Sequence, residues 1–256
     1  MVRQRTPEGP PPPPPVQKLR IRYAKRGRLR FSSTRDFSRA IERALRRARV
    51  PMAFSAGFHP HPKISYANGA PTGAASEAEY LEIRVAQRVD PHALRADLDA
   101  ALPAELVVVD VVEAGPGSLA DRLEASEWQI ELRGCRAPDA RAAVEDLLSR
   151  DVVEVTRMTK KGPRTFDVRG ALLVAEVSPE DAASDPAGPP CAILRVVVRH
   201  TTPAVRPDDV LTALDAASGF TPPVPPLVTR LAQGPWVADD ARVADPLSPD
   251  REAVGA

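Results

Sequence analysis

Two histidines and a lysine alternate with two prolines in one short segment, His59-Pro60-His61-Pro62-Lys63. Proline fixes its own φ angle and biases the residue before it toward extended backbone, so the segment is predicted to be stiff and extended. Alternate side chains of extended backbone point the same way, so both imidazoles and the ammonium group would share one face. Such a face suits a phosphate group or, beside an aromatic side chain, a nucleotide base.

Three roles remain open for this segment. The histidines can be structural and hydrogen-bond to backbone groups, because ordered loops need their polar groups satisfied. They can contact a nucleic acid or another anionic ligand. They can also bind a metal or act as general acid and base, which would make His59 and His61 the candidate catalytic residues. A metal site needs a third ligand, and the sequence has neither HExxH nor paired zinc-binding spacing, so we predict no metal.

The same segment closes a strongly basic part of a chain whose total net charge is only +1. Residues 17–63 contain fourteen Lys or Arg and two acidic residues, Asp36 and Glu42, which gives a net charge of +12. The remaining residues must sum to −11. A local field of this size favours a polyanionic partner.

A helix is predicted from about Thr34 to Arg49, with an apolar face that includes Phe37, Ile41 and Leu45. Its other face is rich in arginine. Such a face can simply be solvated, but like charges at i, i+4 repel, so a sequence that accepts this cost is expected to bind an anion. The residues predicted to bind a nucleic acid or other anion are Arg20, Arg22, Lys25, Arg28, Arg30, Arg35, Arg39, Arg43, Arg47, Phe58, His59, His61, Lys63, Tyr66, Lys160 and Lys161.

Lys160 and Lys161 open a second, smaller basic segment that ends at Arg164. It is predicted to be a turn between two strands. It can be a second phosphate contact or an ordinary hairpin, and the sequence alone does not decide between them.

Hydrophobic periodicity predicts the order β-α-β-β-α-β in each half of the chain, which is the ferredoxin-like arrangement. We therefore expect an α+β protein with tandem ferredoxin-like domains. The predicted parts are a disordered proline-rich leader (1–16), a basic domain (17–115), a second domain (124–217), and a C-terminal extension (218–256) that is largely disordered after about residue 240.

The composition also restricts location and cofactors. No apolar run reaches the roughly 20 residues needed to span a bilayer, and the N-terminus does not look like a signal peptide, so we expect a cytoplasmic protein without a membrane partner. The only cysteines, Cys135 and Cys191, fit buried thiols and exclude a cluster held by cysteines alone. We therefore predict no cofactor.

Several segments together resemble a known family. They are Lys18-Leu-Arg-Ile-Arg-Tyr23, Leu29-Arg-Phe-Ser32, Arg39–Ala48, Phe54–Ser65, Glu79-Tyr-Leu-Glu82, Lys160-Lys-Gly162 and Thr229-Arg230. They resemble the radical-SAM-linked family of unknown function, DUF2344, over roughly 17–232. Members of that family stand alone or form the C-terminal part of cobalamin-type radical-SAM proteins, and standalone members are often encoded beside ribonuclease E/G and ribosomal proteins.

The resemblance implies a tie to RNA metabolism. It does not imply a resident iron–sulfur cluster, because this chain lacks the Cys-x3-Cys-x2-Cys motif of the fused members, so a radical reaction would need a second protein. We expect an RNA-binding accessory protein of RNA or ribosome metabolism, whose protein partner would be a radical-SAM protein or ribonuclease E/G.

Two alternatives stay open at this stage. The first is a partner that presents substrate to a radical-SAM enzyme. The second is a metal-independent RNA-processing enzyme that uses His59 or His61. A binding role is favoured over catalysis, and whether the protein is an enzyme is left open.

Overall fold

The computed structural model describes residues 12–178 and 189–254. These residues form an α+β fold with six α-helices and antiparallel strand pairs, which confirms the α+β class predicted from the sequence. The chain divides into two compact units. The first comprises the described residues of 1–120 together with those of 247–256, and the second comprises 121–246.

The first unit is a four-stranded sheet with two long helices on one face. Its strands follow the order β4-β1-β3-β2, and all neighbours are antiparallel. Its elements are β1 (Gln17–Lys25), α1 (Thr34–Arg47), β2 (Ile64–Ala67), β3 (Ala75–Val85), α2 (Pro91–Ala101) and β4 (Leu106–Glu113), with α6 (Ser248–Val254) returning from the C-terminus. A 3-10 turn (Gly27–Phe31) links β1 to α1.

Local sequence explains why α1 forms where it does. The Ser33 hydroxyl accepts a hydrogen bond from the Asp36 backbone N–H at 3.2 Å, and Asp36 places a negative charge at the positive end of the helix. Phe37, Ile41 and Leu45 are buried and face the sheet, where they pack in one cluster with apolar residues of β1, β3 and β4. The helix face that is left over is therefore the arginine-rich one.

The C-terminal helix is bound to the first unit by a buried arginine. Arg20 of β1 is fully buried, and its Nη1 lies 2.6 Å and 2.9 Å from the two carboxylate oxygens of Asp250 in α6. Its Nε donates to Glu82 at 2.9 Å, and its Nη2 donates to the carbonyl oxygen of Gly117 at 2.6 Å. A buried guanidinium is tolerated only when it is paired and hydrogen-bonded in this way.

Two predictions from the sequence are corrected here. Arg20 was predicted to lie on the anion-binding surface, but its alternation in β1 directs it into a buried contact with α6. The C-terminal extension was predicted to be disordered after about residue 240, yet Arg242–Val243 pairs as a strand and Ser248–Val254 is helical. Leu247 is fully buried, which explains why this polar segment is held in place. Most of the proline-rich leader lies outside the described residues.

The second unit has its own four-stranded sheet, in the order β10-β5-β9-β8. Two helices, α4 and α5, pack against each other, and their buried residues include Val144, Leu147 and Leu214. A separate two-stranded hairpin is formed by β6 and β7. The elements are α3 (Leu119–Arg122, which begins in the first unit), β5 (Ala125–Arg133), α4 (Ala137–Leu148), β6 (Glu154–Thr159), β7 (Gly162–Asp167), β8 (Leu172–Val177), β9 (Cys191–Arg199), α5 (Pro207–Ser218), β10 (Leu227–Gly234), β11 (Trp236–Val237) and β12 (Arg242–Val243).

His200, in the second unit, lies in an environment that disfavours its protonated, charged form. The ring nitrogens of His200 lie 2.7 Å from the Ser126 hydroxyl oxygen and 2.6 Å from the Leu123 carbonyl oxygen. Burial lowers the pKa of His200, the hydrogen bond to Leu123 opposes this effect, and the charge of Arg230 adds to it. The native state therefore favours the neutral imidazole over the charged one.

We predict that replacing Arg20 by Met lowers the free energy of unfolding by about 3–5 kcal/mol, because Asp250 is left buried without its cation. Chemical denaturation followed by circular dichroism measures the change. The matched control is Arg251→Gln. Arg251 lies beside Asp250 in α6 and forms a partly exposed pair with Asp110 of β4, and the loss of this pair should cost less than about 1 kcal/mol. Equal effects of the two substitutions would contradict the structural role of Arg20.

We also predict that His200 makes the protein less stable in mild acid. Its pKa in the native state lies below the unfolded value of about 6.5, so the unfolded state takes up a proton first as the pH falls. The free energy of unfolding should be constant with respect to this group above about pH 7.5 and should decrease below about pH 6.5.

The measurement compares denaturation curves at pH 7.5 and 5.5. In His200→Gln the loss of stability between these two values should be smaller than in the wild type, whereas in His92→Gln, at an exposed position, the loss should be as in the wild type. A loss that His200→Gln leaves unchanged would show that another group is responsible.

Candidate nucleic-acid interface

The segment with the two histidines is a narrow loop that folds back on itself, Ala53–Lys63, called here the His-Pro loop. At its base, Ala53 donates to the Arg84 carbonyl oxygen at 2.8 Å and Lys63 donates to the Ala53 carbonyl oxygen at 2.8 Å. Further out, Ser55 donates to the carbonyl oxygen of His61 at 2.9 Å, and the His61 backbone N–H donates to the Ser55 hydroxyl at 3.0 Å. The loop is thus fixed by its own backbone and anchored on β3.

The tip of the His-Pro loop is open to solvent. Gly57 has a φ of 124°, a backbone conformation that favours glycine, and this allows the chain to reverse there. Phe58 is 60% exposed, Phe54 is 42% exposed, and both His59 and His61 are exposed. Within the described parts of the chain, neither imidazole makes a hydrogen bond or an ion pair. The two rings are therefore available to a ligand.

The exposed face of α1 carries a row of arginines one helical turn apart, Arg35, Arg39 and Arg43, called here the arginine stripe. All three are exposed, and none forms an ion pair or a side-chain hydrogen bond with a described residue. Asp36 lies in the first turn of α1, and Glu42, the second acid of the helix, lies 4.0 Å from Arg46. The stripe is therefore a line of positive charge without an internal counterion.

Arg47 continues the stripe but is partly engaged, because its Nη1 donates to the Ala101 carbonyl oxygen at 3.2 Å. Its side chain remains exposed at the surface. It can add positive charge to the same face, with less freedom than the three arginines of the stripe.

The predicted binding residues lie at two opposite ends of the first unit. Gln17 pairs with Val85, and the His-Pro loop is anchored at this end of β3. Lys25 pairs with Ser76 at the other end, next to the basic 3-10 turn. β3 has 11 residues, so the two ends lie roughly 35 Å apart. The arginine stripe runs along α1 between them.

At the far end, much of the positive charge is used inside the fold. Lys25 is buried, with its Nζ 3.4 Å from the Ala70 carbonyl oxygen, and Arg22 is half-buried, with its Nε donating to the Glu77 carbonyl oxygen at 3.0 Å. Both were predicted to bind an anion, and both instead hold β1 against the chain around β3. Their positions in a central strand explain this difference.

The remaining predicted residues at the far end are Arg28, which is exposed, and Arg30, which is half-buried. Phe31 beside them is 66% exposed and was not among the predicted binding residues.

Tyr66 has a packing role. Its ring meets Phe37 edge to face at 5.7 Å, and Phe37 stacks on Tyr23 at 4.7 Å. Burial raises the pKa of the Tyr66 hydroxyl, although its hydrogen bond with Ser38 opposes this. Tyr66 thus links β2 to α1 and offers 36% of its surface to solvent.

Lys160 and Lys161 lie in the second unit, at the turn of the hairpin β6–β7. Both are exposed, and Met158 beside them is 75% exposed. The sequence left open whether this is a hairpin or a phosphate contact. The structure gives a hairpin with a basic tip.

Two cations beside Lys63, Lys18 and Arg84, were not among the residues predicted to bind an anion. Lys18 of β1 pairs directly with Arg84 of β3, and Arg84 is bonded through its backbone to Lys63 at the base of the His-Pro loop. Lys18, Arg84 and Lys63 form a line across three neighbouring segments of the sheet, called here the cation row. Alternation in β1 and β3 was the signal for it, because Ile83 and Val85 face the helices and Arg84 must face away.

Within 12–178 and 189–254, no three His, Cys, Asp or Glu side chains come together as metal ligands. In the same ranges, no helix has the length and apolar character needed to cross a bilayer.

Comparison with known proteins gives a family but no activity. A family model described as an uncharacterized protein conserved in bacteria, DUF2344, matches residues 18–207. No curated protein matches the chain.

Two solved structures are similar at a low level. An unknown protein from Galdieria sulphuraria is 12% identical with a TM-score of 0.25, covering 84% of this chain and 96% of that one. A DypB variant from Rhodococcus jostii in complex with heme is 12% identical with a TM-score of 0.22, covering 87% of this chain and 92% of that one. Both TM-scores are too low to support an argument. The family model, by contrast, covers more than half of the sequence, and the chain therefore belongs to the DUF2344 family.

Proposed function

We propose that this protein binds RNA through its first unit and acts as an accessory protein of RNA or ribosome metabolism in the cytoplasm. The observation that carries the proposal is the arginine stripe. Arg35, Arg39 and Arg43 are exposed, lie one turn apart, and have no counterion among the described residues. Repulsion between them costs stability in the free protein, and a row of phosphates removes that cost.

The spacing of the stripe supports a chain of phosphates as the ligand. α1 has 14 residues and is about 21 Å long, so its arginines form a line and do not converge on a single point. A line of cations matches a backbone that carries one charge per nucleotide. Phosphate contacts of this kind give affinity without sequence preference.

The His-Pro loop supports a single-stranded ligand. Phe58 and Phe54 are exposed beside His59 and His61, and aromatic faces of this kind stack on unpaired bases. The loop is held by its own backbone hydrogen bonds, so little conformational freedom is lost when a base binds. In this proposal His59 and His61 bind the RNA. Cleavage of the RNA in the binding experiments described below would show that they also act as catalysts.

We also propose that both units are ferredoxin-like. The order β4-β1-β3-β2, reached from the chain order β-α-β-β-α-β, supports this for the first unit. The order β10-β5-β9-β8 supports it for the second, with the hairpin β6–β7 as an insertion after α4.

We predict that Arg35→Gln/Arg39→Gln/Arg43→Gln weakens RNA binding most at low salt. Each lost phosphate contact should reduce the slope of log affinity against log salt by about 0.7, so the triple substitution should reduce it by about 2. Fluorescence anisotropy with a labelled single-stranded RNA across a salt series measures the slope.

The control removes the same charge elsewhere. Arg133→Gln/Arg136→Gln/Arg242→Gln changes three exposed arginines that already pair with acids, and it should keep the wild-type slope. A wild-type affinity that does not vary with salt, or equal slopes for the two triple variants, would contradict the proposal.

A second prediction concerns stacking. Phe58→Ala should weaken binding of single-stranded RNA by about 1–3 kcal/mol while leaving the salt slope unchanged, because a ring carries no charge. The matched control is Phe31→Ala, which removes a phenylalanine of similar exposure at the opposite end of the first unit. If both substitutions weaken binding equally, or if neither does, the His-Pro loop is not the place where bases stack.

A further inference from the structure

The cation row places three positive side chains side by side on the face of the sheet opposite α1 and α2. Lys18 is the register partner of Arg84. Ile64 pairs with Ile83, so Lys63 is the next residue along and lies opposite Arg84, to which it is joined by a backbone hydrogen bond of 3.1 Å. Like charges directly opposite each other on neighbouring strands are destabilising, so this arrangement needs an explanation.

Lys18, one member of the cation row, is paired with an acid of the same protein. The Nζ of Lys18 lies 2.6 Å from Glu82, which also accepts from the buried Arg20 at 2.9 Å. Burial alone would raise the pKa of Glu82, but its hydrogen bonds with Lys18 and Arg20 outweigh that effect and lower it. Glu82 therefore stays ionised and is fully engaged with these two cations.

The other two members have no such partner. Arg84 is exposed and Lys63 is partly buried, and the side chains of both make no hydrogen bond or ion pair with any described residue. The fold thus leaves two positive charges uncompensated and adjacent. A ligand that carries two negative charges on one group matches them.

These two cations line a cavity. It has a volume of about 290 Å³ and is lined by Lys63, Ile64, Ser65, Glu82 and Arg84. This volume lies at the lower end of the roughly 300–1,000 Å³ usual for small-molecule sites, so it suits one small group. A second cavity of about 180 Å³ lies on the other side of Arg84, beside Lys18.

We propose that this cavity binds a phosphate monoester. The planar guanidinium of Arg84 can hold two phosphate oxygens at once, Lys63 adds a second charge, and the Ser65 hydroxyl can donate a hydrogen bond. A monoester carries about −1.5 to −2 charges at neutral pH, which matches the two uncompensated cations. A phosphodiester carries one charge and would leave one cation unmatched.

A phosphate monoester can come from two sources, a free mononucleotide or the 5′ end of an RNA. The second source rests on the proposed function, and it fits the position of the cavity, because Lys63 ends the His-Pro loop and Phe58 lies further along the same loop. A 5′ phosphate in the cavity would bring the first nucleotides to that loop. The arginine stripe would then hold the following backbone.

The test uses two oligoadenylates of equal length, one with a 5′ phosphate and one with a 5′ hydroxyl, and adenosine 5′-monophosphate as a free probe. The wild type should bind the phosphorylated oligonucleotide about tenfold or more tightly than the hydroxyl form, as expected for charge-assisted hydrogen bonds. Arg84→Gln should reduce this ratio toward one while keeping the affinity for the hydroxyl form. Lys63→Gln should also reduce the ratio toward one. The control Arg88→Gln removes a nearby exposed arginine that pairs with Glu113, and it should keep the ratio.

The triple substitution in the arginine stripe separates this proposal from the previous one. It should weaken both oligonucleotides and keep their ratio. One outcome is that no RNA binds, while the mononucleotide binds to the wild type and not to Arg84→Gln. The cavity then takes a free nucleotide, so the cavity proposal stands and the RNA-binding proposal fails. A ratio of one in the wild type together with no binding of the mononucleotide would overturn the cavity proposal, as would a ratio or a mononucleotide affinity that Arg84→Gln and Lys63→Gln leave unchanged.

Discussion

The buried contact between Arg20 and Asp250 is the interaction on which the first unit depends. It fixes the C-terminal helix to β1, across 230 residues of sequence, with both side chains fully buried. It also sets the charge balance of the sheet, because Glu82 must serve Arg20 and Lys18 together. Glu82 is thereby engaged by Arg20 and Lys18. Arg84 and Lys63, on the same face of the sheet, are left without counterions from the described part of the chain.

This constraint explains why the binding surface is smaller than the count of basic residues suggests. Arg20, Lys25 and Arg22 belong to the fold, since the first two are buried and the third is bonded to the backbone. The proposed binding surface consists of the arginine stripe, the tip of the His-Pro loop and two members of the cation row. The stripe is linear and the row converges, so the first suits a chain of phosphates and the second suits a single dianionic group.

Much of the fold could be predicted from the sequence because its signals are local. The apolar period of α1, the serine at its start and the alternation in β1 and β3 each predict the element that forms. The predictions that failed depend on contacts between residues that are far apart in the sequence. Alternation assigned Arg20 to an outer face but could not show that Asp250 would cover it. Arg84 was overlooked because its importance arises only when Lys18 and Lys63 pair beside it. The composition of the C-terminal segment likewise concealed the buried Leu247.

The central claim is that RNA lies along the first unit, from the His-Pro loop to the arginine stripe. Ultraviolet crosslinking of the full-length protein to single-stranded RNA, followed by mass spectrometry of the crosslinked peptides, tests it most directly. The account predicts crosslinked nucleotides on the peptides that contain Phe58 and α1, and their loss when the stripe is neutralised. Crosslinks confined to the second unit, for example around Lys160, or an absence of crosslinks in the first unit, would contradict it.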